Sequence, residues 1–231
     1  MFLSKKYPKV LLSAPIYEHK YYCIQDYIRN LRYLSYPNFD VLLVDNSKDP
    51  TAVQTVIDMN PDIEIVYTGF HETTRASQGI SYQYIRKRFL EGDYEYLMII
   101  ESDLFPFAEI IEELMANDKD ICGAVYMIGG KDGTGSLPCV TTGKFMFSMG
   151  DFREGFMDFT EINGELKQIQ GGCGLGCTII KRKVLEDLDF RWDRCHTDTY
   201  FHRDAHRIGY ETWIDTRFII PHYPSAYPDY F

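Results

Sequence analysis

The residues best placed to do chemistry are Glu101 and Asp103, which follow an apolar run at residues 97–100. A continuous apolar run of this length predicts a strand buried on both faces, as in a parallel sheet. Side chains alternate along a strand, so the two carboxylates are expected on one face and Ser102 on the other. Carboxylates beyond the carboxyl end of such a strand suit a divalent cation that carries a phosphorylated ligand. A solvated acidic turn is the alternative.

A further carboxylate, Asp45, ends the apolar run at residues 41–44. At this position it could accept hydrogen bonds from a nucleobase or ribose, or it could form an Asx turn. No GxGxxG motif follows the first predicted strand and the chain has no Walker lysine, which argues against a dinucleotide oxidoreductase and a P-loop NTPase. Phosphate groups would then be bound by a metal and by cations such as Arg75.

The elements that would position these residues alternate regularly along the first half of the chain. Apolar runs predict strands at residues 9–14, 41–44, 63–67 and 97–100. Helical periodicity, with Asp49-Pro50 as a start signal, predicts helices at residues 20–34, 49–59, 77–90 and 106–117. This alternation predicts an α/β fold with a doubly wound, mostly parallel sheet and helices on both faces.

The regular alternation ends after a predicted strand at residues 121–126. The glycine-, serine- and threonine-rich residues 129–150 are typical of a loop or hairpin excursion. Further on, the pattern predicts mixed β structure, a short helix at 182–188, a helix from about Asp198 and an extended tail. No internal repeat or linker divides the chain, so one domain is the simplest organisation.

Composition bounds the classes of function. The 231 residues carry a formal net charge of −10, which disfavours duplex nucleic acid as a partner. No apolar run approaches the roughly 20 residues needed to cross a bilayer, and no signal peptide is recognisable, which predicts a cytoplasmic protein. The six scattered cysteines include no CxxC pair and are expected to be reduced and buried.

Two other groups of residues could bind a metal, although neither is favoured. Cys173, Cys177, Cys195 and His196 could form a zinc site, but the Gly-Leu-Gly spacing is unusual for one. His202 and His206 stand four residues apart and could share a helical face as metal ligands. Structural roles for both histidines are the preferred interpretation.

Taken in order, the motifs resemble the GT-A glycosyltransferases, particularly their family-2-like, metal-dependent, inverting branch. The resemblance covers nearly the whole chain and rests on residues 13–18 (SAPIYE), 44–47 (VDNS), 74–79 (TRASQG), 101–103 (ESD), 171–182 (GGCGLGCTIIKR) and 197–201 (TDTYF). It implies a single GT-A domain over residues 1–231, with a nucleotide-sugar-binding half at 1–105 and an acceptor-side half at 106–231.

The resemblance also implies roles for individual residues. Glu101-Ser102-Asp103 matches the family's DxD element, with Asp103 as the metal ligand and Glu in place of the first Asp. His222 matches a late histidine that completes the metal site, and an imidazole ligand points to Mn²⁺ or Mg²⁺; a surface histidine in a proline-flanked tail is the alternative. The implied donor-binding residues are Pro15, Tyr17, Glu18, Asp45, Arg75, Glu101 and Ser102, and the implied acceptor-side residues are Gly172 and Gly174.

Asp198 matches the acidic residue that acts as general base in the inverting enzymes. Such a carboxylate takes a proton from the attacking hydroxyl as the sugar–phosphate bond breaks. The family's paired acidic residues are Thr197-Asp198 in this chain, so one acidic partner is absent. The alternative, compatible with catalysis, is that Asp198 is the N-cap of the helix that follows.

The implied reaction transfers a sugar from a nucleotide diphosphate sugar, with a UDP-sugar favoured over a GDP-sugar. The acceptor hydroxyl could belong to a glycan, a small molecule or a modified base. A nucleotidyltransferase is an alternative, but it should show a glycine- and arginine-rich loop after the first strand, and residues 14–19 are not one. A non-catalytic nucleotide-sugar or glycan-binding module is the other alternative; the joint presence of Asp45, Asp103, Asp198 and His222 argues against it.

Overall fold

The computed structural model describes residues 7–129, 136–142 and 155–223. The strands in these ranges are β1 (Val10–Ile16), β2 (Phe39–Asp45), β3 (Glu64–Tyr67), β4 (Tyr96–Ile100), β5 (Ile121–Gly129), β6 (Ser136–Pro138), β7 (Leu166–Ile169), β8 (Cys177–Lys181) and β9 (Thr212–Ile220). The α-helices are α1 (Ile24–Arg32), α2 (Pro50–Met59), α3 (Thr74–Glu91), α4 (Ile110–Ala116), α5 (Arg182–Asp187) and α6 (Thr197–Arg207).

These strands form one sheet in the order β3-β2-β1-β4-β8-β5-β9-β7, with β6 beside β5. The first four strands pair in parallel, as the alternating pattern predicted. β8 lies between β4 and β5 and is antiparallel to both, whereas β9 pairs in parallel with β5. β9 therefore runs in the same direction as β1, β2 and β4. The carboxyl ends of these four strands lie along one edge of the sheet.

Helices cover both faces of the sheet and bury its apolar residues. Alternate residues of β1 enter opposite cores, because Leu12 packs with α1 and α4 on one face and Leu11 packs with α3, α5 and α6 on the other. All four residues of the apolar run at 97–100 are fully buried. At about 25 cal/mol per Å² of apolar surface, this two-sided burial is the main term that holds β4 in the middle of the sheet.

Two helices are shorter than their sequence patterns predicted. The predicted helix at 20–34 begins only at Ile24, after a 3₁₀ turn over Glu18–Lys20, and the predicted helix at 106–117 is α4, which begins at Ile110. The side chains of Lys20 and Tyr21 bind carboxylates at the sheet edge, so tertiary contacts override local helix propensity there.

The glycine-rich excursion predicted at 129–150 lies partly outside the described residues. Its described part includes β6, which pairs antiparallel with the end of β5. All six cysteines are free thiols, and all but the half-buried Cys195 are buried, as expected for a reduced protein. Within the described ranges, no helix combines the length and the apolar character that a membrane span requires.

Candidate active site

The carboxyl edge of the sheet brings most of the predicted site residues together. Asp45 ends β2, the Glu101-Ser102-Asp103 segment follows β4, and His222 follows β9. The glycine-rich residues 171–176 precede β8, whose antiparallel direction places its start at the same edge. The backbone N–H of Glu101 donates to the carbonyl of Gly176 at 2.7 Å, which joins the two segments directly.

Asp103 is the centre of a buried polar cluster at this edge. Its Oδ2 lies 2.7 Å from the Lys20 Nζ and 3.1 Å from the His222 Nε2. The Tyr223 N–H donates to the Asp103 carbonyl at 2.9 Å, and Leu104 and His222 form a β-bridge. The segment after β9 is thus attached to the segment after β4, although the two are far apart in sequence.

The charges in this cluster stabilise one another. Burial alone would raise the pKa of Asp103, but the His222 hydrogen bond and the Lys20 ammonium together lower it below its usual range. Burial opposes the charged form of His222, yet the Asp103 carboxylate raises the pKa of this imidazole. Burial likewise opposes the Lys20 ammonium, and the negative charges of Glu101 and Asp103 raise its pKa. Each ionised group thus has an opposite charge beside it.

The side chains around Asp103 suit a divalent cation whose remaining coordination positions are filled by phosphate oxygens of a bound ligand. Asp103 Oδ1 is buried and has no hydrogen-bond partner among the described residues. The His222 Nδ1 donates to the Met127 carbonyl at 2.6 Å, and Nε2 donates to Asp103 Oδ2 at 3.1 Å. Nε2 would become a metal ligand on losing its proton, with Nδ1–H still held by the carbonyl. Among the described residues no group of three or more His, Cys, Asp or Glu side chains forms a metal site. One carboxylate and one imidazole leave positions for diphosphate oxygens and water.

Glu101 lies beside this cluster and responds to its charges. Burial raises the pKa of Glu101, the nearby charges of Asp103 and Asp198 raise it further, and the Lys20 ammonium opposes them. Helix α6 packs against the glycine-rich segment, because the His202 ring is against Gly172 and the His206 Nε2 lies 2.9 Å from the Gly171 carbonyl. The same segment is bonded to Glu101 through the Gly176 carbonyl. The predicted donor-side and base carboxylates therefore border the same space.

Asp198 is not the N-cap of its helix, contrary to the structural alternative predicted from the sequence. The N-cap of α6 is His196, and Asp198 is the second helical residue. Its Oδ1 accepts from the Thr199 N–H at 2.6 Å and lies 3.3 Å from the Thr199 hydroxyl. No other hydrogen bond reaches this half-exposed carboxylate from the described part of the chain. It can therefore receive a hydrogen bond from a bound hydroxyl.

Asp45 forms the Asx turn that the sequence allowed. Its Oδ1 accepts from the Ser47 N–H at 3.0 Å, and its Oδ2 accepts from the Ser47 hydroxyl at 3.1 Å and from the Tyr21 hydroxyl. The residue is fully buried, and burial raises the pKa of the Asp45 carboxyl despite these hydrogen bonds. A nucleobase or ribose could reach Asp45 only if the Tyr21 hydroxyl moved away.

The other predicted donor residues lie along the same edge but have different surroundings. Pro15 and Tyr17 are half-buried at the end of β1, and both carboxylate oxygens of Glu18 accept from the Lys48 N–H, at 3.1 and 3.2 Å. Hydrogen bonds to Ser47 and to backbone N–H groups lower the pKa of Glu18 although burial opposes them. Arg75 is exposed in the first turn of α3 and donates to the Arg194 carbonyl at 3.1 Å. None of these contacts involves the Asp103 cluster.

The predicted acceptor-side glycines are close to side chains behind the site. A Cβ on Gly172 would lie 2.7 Å from the His202 ring, and one on Gly174 would lie 2.1 Å from the Tyr126 hydroxyl. Tyr126 is buried and accepts from the Gly176 N–H at 3.3 Å. Both positions therefore require glycine for packing, whatever they do toward an acceptor.

Replacing Gly174 with alanine is expected to lower the free energy of unfolding by about 1–3 kcal/mol, because the new methyl group must displace the Tyr126 hydroxyl. Urea denaturation measures this change. Gly129→Ala is the matched control, since a Cβ there meets nothing within 4 Å. The Gly174→Ala cost should shrink in a Tyr126→Phe background. Equal midpoints for Gly174→Ala, Gly129→Ala and wild type would contradict the packing explanation.

The alternative metal groups weighed from the sequence have structural contacts instead. His202 Nδ1 lies 3.1 Å from the Thr212 hydroxyl, and burial lowers the pKa of His202 to about 3, so this imidazole is neutral. The His206 Nε2 lies 2.9 Å from the Gly171 carbonyl. Cys173 and Cys177 are buried with raised pKa values, and His196 is the exposed N-cap of α6. These contacts favour the structural roles.

Sequence reasoning missed Lys20 and Tyr21, the residues that contact the two central carboxylates. Both lie within the range 20–34, for which the sequence pattern predicts a helix. One signal was available, because a lysine just after the first strand of a parallel sheet lies at the edge where Asp103 is expected. Helical periodicity concealed that signal.

Comparisons with known proteins identified solved structures with a similar architecture. No protein-family model and no curated protein matches the sequence. Mannosyltransferase PcManGT from Pyrobaculum calidifontis, in complex with GDP-Man and Mn²⁺, matches with a TM-score of 0.61 at 16% identity, over 96% of this chain and 59% of that one. A197 from STIV matches with a TM-score of 0.54 at 16% identity, over 94% of this chain and 86% of that one.

A third similar structure is S. aureus TarS 1–349 in complex with UDP-GlcNAc, with a TM-score of 0.56 at 16% identity, over 92% of this chain and 57% of that one. The chain thus spans less than two thirds of the length of PcManGT and of TarS 1–349. At this level of identity the similarity establishes the fold. It is the GT-A fold that the sequence predicted.

Proposed function

We propose that this protein is a nucleotide-sugar glycosyltransferase of the family-2-like, metal-dependent, inverting type. The observation that carries the proposal is the convergence of Glu101, Asp103 and His222 at the carboxyl edge of a GT-A sheet, with Asp198 at the start of α6, the helix that packs against the glycine-rich segment at this edge. The complexes of similar folds with GDP-Man and Mn²⁺ and with UDP-GlcNAc support a nucleotide-sugar donor. A UDP-sugar is the favoured donor and a GDP-sugar the second choice.

In this proposal the donor side and the acceptor side have separate tasks. Asp103 and His222 would hold a divalent cation, Mn²⁺ or Mg²⁺, and this cation would offset the negative charge that develops on the departing diphosphate. Asp45 orients the base or ribose after the Tyr21 hydroxyl has moved away, and Glu101 and Ser102 border the donor. Pro15, Tyr17, Glu18 and Arg75 complete the donor side.

The acceptor hydroxyl approaches from the side of Asp198 and gives it a proton as the new glycosidic bond forms. Direct displacement by this hydroxyl attacks the face opposite the leaving group, so the product has the inverted anomeric configuration. Gly172 and Gly174 would shape the acceptor side by leaving space where other residues carry side chains. The acceptor is a glycan, a small molecule or a modified base.

A panel of UDP- and GDP-sugars tests the proposal. We expect release of the nucleoside diphosphate from at least one donor in the presence of Mn²⁺ or Mg²⁺, and at least tenfold less release in EDTA. The nucleotidyltransferase alternative predicts pyrophosphate release from a nucleoside triphosphate and a sugar phosphate instead. The binding-module alternative predicts nucleotide-sugar binding without turnover, and either of these outcomes would overturn the proposal.

A further inference from the structure

The Lys20 ammonium lies beside Asp103, where a metal ion bound to this carboxylate would be expected. Its Nζ lies 2.7 Å from Asp103 Oδ2, and this oxygen is also the one that the His222 Nε2 approaches. The side chains of Lys20 and Asp103 are only 19% and 4% exposed. An ion pair this well buried interacts far more strongly than one on the surface.

The segment that carries Lys20 is attached to the site on both sides of that residue. Before Lys20, the Glu18 N–H donates to the Ser47 hydroxyl at 2.9 Å, and after it the Tyr21 hydroxyl donates to Asp45. The Cys23 thiol donates to the Ser102 carbonyl at 3.2 Å. These contacts fix the path of the backbone, so the ammonium is held at Asp103 by its surroundings rather than by chance rotation of a long side chain.

We propose that Lys20 is the resident cation of the Asp103 site in the donor-free protein, and that a divalent metal ion binds by displacing its ammonium. The inference rests on the proposed function, because it takes Asp103 and His222 as the metal ligands. A divalent cation on the Asp103 carboxylate and an ammonium 2.7 Å from the same group would repel each other strongly at low effective dielectric. The two cations therefore exclude one another.

This competition sets the affinity of the site for metal. Lys20 lowers the affinity of the site for every divalent ion by the same factor. At a given metal concentration, the site is therefore emptied first of the ions that bind weakly. In the Irving–Williams order Mn²⁺ is already the weakest of the first-row ions, and Mg²⁺ depends even more on phosphate ligands. At low metal concentration, occupancy of the site then depends on the additional ligands that a bound diphosphate brings. Lys20 is thus a positioning residue that couples metal entry to donor binding.

Mn²⁺ affinity without any donor tests the proposal, measured from the electron paramagnetic resonance signal of free Mn²⁺. Lys20→Gln is expected to bind Mn²⁺ at least tenfold more tightly than wild type. Lys48→Gln is the matched control, because it removes the same charge from an exposed residue whose ammonium lies 4.7 Å from the Phe70 ring centroid. Its Mn²⁺ affinity should stay within twofold of wild type.

A second measurement uses the wild-type protein and therefore does not depend on the variant folding. Amine-reactive labelling, read by mass spectrometry, should show Lys20 protected without metal and labelled at least fivefold faster once Mn²⁺ is bound. Labelling of the exposed Lys48 should not change. An unchanged rate of Lys20 labelling when Mn²⁺ is bound would show that the ammonium is not displaced.

The outcomes separate this inference from the proposed function. Equal Mn²⁺ affinity in wild type and Lys20→Gln would overturn the role of Lys20 while leaving the metal site intact. Absence of binding in both proteins would overturn the role of Lys20 and also remove the metal from the proposed function. A tighter site in Lys20→Gln would support the inference even if no tested nucleotide sugar were turned over.

Discussion

Replacing Asp103 with asparagine is expected to abolish the Mn²⁺-dependent stabilisation of the protein by a nucleoside diphosphate. With UDP and Mn²⁺ at a hundredfold excess over Kd, the wild type should gain about 2.7 kcal/mol in its free energy of unfolding. The variant should gain almost none, because an amide lacks the charge that binds a cation between the protein and the phosphates. Thermal unfolding with UDP, Mn²⁺, both and neither measures the gain.

The comparison is made within each protein, so any loss of intrinsic stability from the broken Lys20–Asp103 ion pair cancels. Asp58→Asn is the matched control, since it makes the same change at an exposed residue of α2 whose Oδ1 accepts from the Gln54 amide at 2.7 Å. This control should keep the full gain. If UDP and Mn²⁺ stabilised the Asp103→Asn variant as much as the wild type, the metal would be bound elsewhere or not used.

Replacing Asp198 with asparagine is expected to slow sugar transfer by roughly a hundredfold or more, the usual contribution of a positioned general base. The amide has the same size, and its oxygen can still accept from the Thr199 N–H, so α6 should remain intact. It cannot take a proton from the acceptor at neutral pH. Affinity for UDP and Mn²⁺ should change little, because Asp103 and His222 are untouched. Steady-state transfer rates and calorimetric titrations measure the two effects.

Asp193→Asn is the matched control for this variant, because Asp193 is an exposed acidic residue in the segment just before α6. It should transfer sugar at the wild-type rate. The anomeric configuration of the product, read by NMR, adds an independent check, since a base-activated hydroxyl gives inversion. Near-normal transfer by Asp198→Asn, or retention of configuration, would remove Asp198 from the mechanism.

The parts of the fold that follow from apolar patterning could be predicted from the sequence. Residues 97–100 are an unbroken apolar run and form a central strand that is buried on both faces. The antiparallel insertion of β8 between β4 and β5 could not be predicted in this way. The sequence of a five-residue strand does not specify which strands lie beside it. The position of β8 depends on long-range pairing with β4 and β5.

The candidate site was predictable to a lesser degree. The position of Asp103 follows from the strand before it, whereas the placement of His222 beside it came only from the family resemblance. The N-cap interpretation of Asp198 was wrong because capping depends on the exact first residue of a helix, and sequence patterns locate helix ends only to within a few residues. Lys20 and Tyr21 were missed because their side chains bind partners that are distant in sequence.

Asp103 and His222 are 119 residues apart in sequence, and this separation determines at what stage of folding they can come together. His222 reaches Asp103 only through β9, whose position depends on its pairing with β5, and β5 in turn pairs with β8 beside β4. Contacts of such high sequence separation form late, after much chain entropy has been lost. A nascent or partly folded chain therefore lacks the Asp103–His222 pair, so the metal binding proposed for this pair would report that the central sheet has assembled.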